Sequence, residues 1–323
     1  MSAAITVFKR VGLALGTLVA STMVVFGAMR LLPGNYADLI LGPFASDAAK
    51  AEATARLGLD QSVAVQYWRW LTALARGDFG TSFVSGTPIA EELALRLPVT
   101  IAIACGAGLA AVVLGTGLGL ISAVHARGGA GGAGGRLLSA LGISIPEFVL
   151  GGVVVYAVSS LGIGSLVGAF AAPGQDWQAF ALSMILPTAV LSVFCVSATA
   201  RTTRDAVLSV LVEPHVTASV SRGETPWFII RHHVMRNASI PVLTQTATIV
   251  AGMLGGAVIV ESVFDVPGVG SYLVQALGRR DYGVVQAGVV LAAAVFLASG
   301  LIADLAALAI DPRLRSSGRG SRR

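Results

Sequence analysis

Two carboxylates stand in stretches of this chain that carry almost no other charge: Glu147 in "SIPEFVLGG" and Asp304 in "SGLIADL". An ionisable group inside a membrane-spanning helix costs at least about 2.5 kcal/mol on insertion scales, so it must face the bundle interior, a partner or water. The chemistry open to such a pair is attraction of a cationic or amine-bearing solute along a path, or a proton or sodium relay. A hydrogen-bonded packing role is the plainer alternative for each. Pro146 lacks a backbone donor and can open the helix just before Glu147. The other reactive residue types lead nowhere catalytic. His232 and His233 are adjacent, which on a helix points them about 100° apart and makes them poor joint metal ligands. The glycine-rich "HARGGAGGAGGR" (His125 to Arg136) cannot be a phosphate loop of the G-x-x-x-x-G-K-[ST] type, because the only lysines are Lys9 and Lys50. It reads as a flexible cytoplasmic connector. Cys105 and Cys195 have no C-x-x-C neighbour, and no G-x-S-x-G elbow is present. These observations give no metal centre and no enzyme acting alone.

The elements that must position the two carboxylates are apolar. Charged residues are 12% of the 323-residue chain and mean hydropathy is +0.80, against roughly 25% charged in a soluble domain. Six windows, at approximately 11–32, 99–122, 137–160, 179–200, 239–262 and 284–310, are long enough for a helix to cross about 30 Å of hydrocarbon. None shows the sustained period-2 alternation of a membrane β-barrel. The expected fold is an all-α polytopic membrane protein with six transmembrane helices. Of the 22 Lys and Arg, 14 fall in the N-terminus, the loop near 123–136, the loop 201–237 and the tail after Asp311, which places those segments and both termini in the cytoplasm. The basic balance is thus a matter of topology and gives no reason to expect a nucleic-acid partner. The organisation expected is an N-terminal segment and first span over 1–32, an extracytoplasmic cap over 33–97, a core of five spans over 98–310 and a cytoplasmic tail over 311–323.

One polar run interrupts the apolar pattern: "EPHVTASVSRGETPWFIIRHHVMRNASIPV", Glu213 to Val242. Pro214 suits the first turn of a helix, and Gly223 can supply the positive φ that closes it. Thr225 and Pro226 then reset the chain as N-cap and first residue of a second helix. The result is a helix-glycine-helix knob facing the cytoplasm. By itself it could dock a partner or rest on the lipid surface through Trp227 and Phe228.

The run resembles the cytoplasmic EAA loop of ABC importer permeases, in the variant of the dipeptide, oligopeptide and nickel group. Thr217, Ala218 and Ser219 stand at the small-residue triplet and Gly223 at its glycine; "HVMRNASIPV" is similar to the run that follows. Seven further segments appear in the family's order: "RLLPGN" (Arg30 to Asn35), "LGLDQSVAVQYWRWL" (Leu57 to Leu71), "GDFGTSF" (Gly77 to Phe83), "RLPVTI" (Arg96 to Ile101), "VESVFDVPGVG" (Val260 to Gly270), "RDY" (Arg280 to Tyr282) and "DPRLR" (Asp311 to Arg315). Together they span almost the whole chain.

The resemblance implies a MetI-like permease fold in the inner or plasma membrane. It also implies partners: a second homologous permease, two ABC ATPase subunits that bind ATP and Mg, and an extracytoplasmic substrate-binding protein. This chain would itself hold no cofactor. Glu213, Thr217, Ala218, Ser219, Arg222, Gly223, His233 and Arg236 would form the ATPase-coupling loop. Glu147 and Asp304 would line the translocation path, and Glu261, Asp265, Arg280 and Asp281 would either receive the binding protein or form a solvated rim. Substrates expected from the resemblance are dipeptides, oligopeptides or nickel chelates. The rival reading is a secondary transporter coupled to protons or sodium through Glu147 and Asp304.

Overall fold

The computed structural model describes residues 3–31, 46–58, 60–128, 130–162, 170–171, 174 and 176–310. The tail 311–323, with its "DPRLR" segment, and most of "RLLPGN" lie outside the described residues. Within them the chain is helical, and the sole strand-like pairing is an isolated bridge between Thr81 and Pro88.

The apolar windows become helices, most of them longer than the membrane requires. Helix α1 is Ala3–Leu31; α2 (Asp47–Leu57) and α3 (Val63–Ala75) belong to the expected cap. Helix α4 runs Ile89–Val124 with a π-helical turn at Ala111–Gly115. It begins ten residues before the apolar window, so the last stretch of the expected cap is already the first turns of this helix. Next come α5 (Ala130–Ser144), α6 (Glu147–Ser160), α7 (Trp177–Leu211) and α8 (Pro214–Ser221). Helix α9 is Met235–Val263, preceded without a break by a turn at Pro226–Phe228 and a π-helical segment at Ile229–Val234; α10 is Val269–Gly278 and α11 is Tyr282–Ile310.

Four helices among the described residues, at Val7–Leu31, Ile89–Val124, Trp177–Leu211 and Tyr282–Ile302, are long and apolar enough to cross a bilayer. The pair Gly134–Ser144 and Glu147–Ser160 meets the same criterion together but is bent by 94°. The window 137–160 is therefore not a straight span. Pro146 offers no N–H and disfavours helical geometry at Ile145, so the helix stops at Ser144 and restarts with Pro146 as N-cap. Glu147 accordingly sits in the first turn of α6 rather than in mid-span. The glycine-rich stretch is also corrected: from Ala130 onward it is helix, where a flexible connector was expected.

Helix α7 is the centre of the bundle, packed by α4, α5, α6 and α9, while α11 lies against α9 and α1. The main core joins Ile103, Ala107, Leu191, Cys195, Ala257 and Val260. Close approach of α4 to α7 depends on glycine: a Cβ at Gly119 would come within 2.5 Å of the Ala200 carbonyl oxygen and the Thr203 side chain. Away from these contacts, large apolar side chains such as Leu13, Val24, Leu109 and Ile185 are exposed, as a lipid-facing surface requires.

Candidate functional site

Two smaller cores define the two ends of the bundle. At one end Ala123 of α4, Val207 and Val210 of α7, Val216 of α8, and Ile229, Val234 and Ala238 pack together. At the other, Ile89 and Leu93 of α4 meet Val269 and Ala276 of α10 and Val284 of α11.

The first end carries the polar run as a rigid knob. Helix α7 has 35 residues, roughly 50 Å at 1.5 Å per residue, so it projects well beyond about 30 Å of hydrocarbon. Pro214 opens α8 as its first residue. Gly223, at φ +76°, closes it, with its own N–H donating to the Val220 carbonyl (2.9 Å) and that of Glu224 to the Ser219 carbonyl (3.3 Å). This is the paired bonding of a Schellman ending, which satisfies carbonyls a helix end leaves open. Thr225 then caps the next helix by accepting from the Phe228 N–H at 3.4 Å.

Side chains lock the two arms together. Ser219 is fully buried and accepts from the Arg222 guanidinium at 2.8 Å. Arg222 also donates to Glu224 through Nε (3.0 Å) and Nη2 (2.7 Å). Glu224 lies 3.1 Å from Nε2 of His233 on the second arm. These bonds, those from Arg222 foremost, hold the Glu224 carboxyl below the usual carboxylate range. His215 pairs with Glu213 at 3.1 Å, and Asn237 Nδ2 approaches His215 Nε2 at 3.4 Å. Glu213, Thr217, Ala218, Arg222, Gly223 and Arg236 are exposed. Around them Val212, Val220, Trp227 and Phe228 also stand exposed. The structure thus brings the eight expected coupling residues onto one knob. It adds Glu224, whose bridging role depends on a histidine nine positions away and has no signature in the local sequence.

Glu147 lies against α9, where Gly256 leaves room for it: a Cβ there would stand 2.7 Å from Oε2. The carboxylate is half-buried and enters no hydrogen bond or ion pair among the described residues. Asp304 falls in α11, with its side chain outside the described residues.

The opposite end corrects the expectation for two residues. Glu261 is fully buried, accepting from the Thr100 hydroxyl at 2.6 Å and the Ser271 N–H at 2.9 Å. Asp281 is 3% exposed and accepts from the Ser82 hydroxyl and the Phe83 N–H. Neither can meet a docking protein directly, because each is enclosed and engaged within the chain. Glu261 joins α9 to α4 and α10, and Asp281 joins the Gly77–Phe83 turn to the start of α11. Asp265 and Arg280 remain exposed, both with positive φ. Thr100 is a key residue that sequence reading missed; its hydroxyl also accepts from the Val269 N–H at 2.9 Å.

Comparison with known proteins bears on this geometry. The model of the family described as "Binding-protein-dependent transport system inner membrane component" matches residues 115–316, and the model of that component's N-terminal part matches residues 5–104. The chain is 35% identical over 294 residues to a probable peptide ABC transporter permease protein of Sinorhizobium fredii, covering 90% of this chain and 93% of the relative. It is 37% identical over 311 residues to a glutathione transport system permease protein of Salmonella paratyphi A (96% and 98%). It is 33% identical over 310 residues to a putative peptide transport system permease protein of Brucella abortus (96% and 98%). With matches of this extent, and the helical knob and apolar bundle already described, this chain belongs to the family of binding-protein-dependent transport system inner membrane components.

Proposed function

We propose that the chain is the permease subunit of an ATP-driven ABC importer, and that with a second, homologous permease it forms the path for peptides or similar small solutes. The observation that carries this reading is the exposed knob at 213–237, rigidly bonded within itself and continuous with α7 and α9. A permease with no nucleotide site needs its energy delivered from outside, and a stiff helical knob fused to two core helices can pass a push on the ATPase to the bundle. In this arrangement two ATPase subunits hold ATP and Mg, and a binding protein delivers solute to the opposite end, near Asp265 and Arg280. Six crossings, with both termini on the ATPase side, agree with the Lys/Arg distribution. The peptide class follows from the names of the relatives. Glu147 stands beside Gly256 with no hydrogen bond or ion pair among the described residues, which supports a role for it in attracting the amine of such a solute. Ion-coupled secondary transport by Glu147 and Asp304 has no support among the relatives and leaves the knob without a purpose.

The test is co-purification of the tagged chain in mild detergent, native against Gly223→Asp, with mass spectrometry of what stays bound. ATPase subunits should accompany the native chain and be lost with the variant. A well-folded native chain that retains no ATPase would refute the reading.

A further inference from the structure

Three motifs singled out in the sequence take no part in the knob: the arginine opening Arg30–Asn35, the segment Leu57–Leu71 and the turn Gly77–Phe83. The fold gathers residues of all three around one cavity of about 460 Å³ at the end of the bundle away from the knob. Helix α1 supplies Phe26 and Arg30, α3 supplies Arg69 and Trp70, and α11 supplies Gln286.

The polar groups here point to a ligand. Gln286 is 7% exposed, and its Nε2 is shielded from solvent with no hydrogen-bond partner among the described residues. A buried donor left without an acceptor is a cost the fold carries unless a ligand supplies one. The Arg69 guanidinium enters no hydrogen bond or ion pair among the described residues, and Gly58 leaves space for it, since a Cβ there would lie 3.0 Å from Nη1. Arg30 lies 5.1 Å over the Phe26 ring at the same rim. The carboxylate on the cavity wall, Asp78, is engaged in its own turn, accepting from the Gly80 N–H at 2.9 Å. The Arg69 guanidinium and a buried amide donor against one occupied carboxylate select an anion with several acceptor oxygens. The aromatic wall of Phe26, Trp70 and Phe79 accommodates an apolar attachment. The exposed apolar face of α1 formed by Leu13, Val24 and Leu31 leads along the lipid surface toward the same end.

We propose that this cavity binds the phosphate of an anionic phospholipid from the leaflet opposite the knob, with Arg69 and Gln286 as donors and the acyl chains lying along α1. Bound there, the lipid would tie α1 and the cap helix α3 to the start of α11.

The test uses the full-length purified chain with phosphatidylglycerol, phosphatidylcholine or inorganic phosphate, read by native mass spectrometry and by thermal unfolding. Phosphatidylglycerol should be retained and should raise the unfolding midpoint, and phosphatidylcholine should not. Arg69→Ala and Gln286→Leu should each weaken retention about tenfold, the loss of one charge-assisted hydrogen bond. Arg76→Ala, also exposed but off the cavity, should not. If Gln286→Leu fails to fold, Arg69→Ala carries the test alone. Protection by inorganic phosphate equal to that by phosphatidylglycerol would overturn the lipid as the source while keeping the phosphate site. Equal retention of both lipids, or native retention by Arg69→Ala, would overturn the proposal.

Discussion

Thr100→Val tests whether the end of the bundle away from the knob is held by one buried hydroxyl. Thr100 is 3% exposed; it donates to Glu261 at 2.6 Å and accepts from the Val269 N–H at 2.9 Å. Valine has nearly the same shape, so no cavity forms and the effect is almost purely one of hydrogen bonding. Two buried partners lose their mate: a carboxylate oxygen and a backbone N–H. At about 1–3 kcal/mol for each buried group left unsatisfied, the expected destabilisation is roughly 2–6 kcal/mol. Glu261 keeps its bond from the Ser271 N–H, which favours the lower half of that range. The assay is chemical unfolding of the purified chain in detergent, native against Thr100→Val, Glu261→Gln and the double variant. The two single changes act on one network, so their effects should fall well short of additive in the double variant. Native-like stability of Thr100→Val, or strict additivity, would refute the assignment of Thr100 and Glu261 to a single buried lock.

Other outcomes are expected at the knob and in the bundle. A Cβ at Gly223 meets nothing within 4 Å, so within the chain Gly223→Val should act through the positive φ, at about 1–2 kcal/mol; hydrogen exchange over 213–237 of the purified chain should rise while Gly223→Asn, which tolerates that φ, stays near native, and equal behaviour of the two variants would contradict the backbone argument. Because the Glu224 carboxyl is held below its ordinary value, chiefly by Arg222, its bonds to Arg222 contribute fully above about pH 4.5 and are lost as pH falls through the depressed value. Hydrogen exchange over 213–237, corrected for its intrinsic pH dependence, should therefore rise on acidification in the native chain but be uniformly high in Glu224→Gln. Glu147→Gln should lower uptake of amine-bearing solutes while leaving ATPase association intact, and unchanged uptake kinetics would remove Glu147 from the path.

The sequence by itself determined what depends on near neighbours. Apolar runs of spanning length became helices because a chain in lipid must satisfy its backbone internally. The knob was legible as Pro214, Gly223, Thr225 and Pro226 because helix starts and stops are set by dihedral preference and capping within a few residues. The break before Glu147 could be suspected from Pro146, though its 94° angle could not. Tertiary structure alone decided what depends on distant partners. Glu261 and Asp281 read as surface charges until the fold brought Thr100 and Ser82 to them, 161 and 199 positions away in the chain. The glycine-rich stretch read as a linker, yet packing drew it into α5. Glu224 acquired its role only when the second arm of the knob placed His233 beside it, and the cavity at Gln286 exists only where α1, α3 and α11 converge. A carboxylate's own sequence context carries no record of whether the finished fold will leave it in water or enclose it with donors.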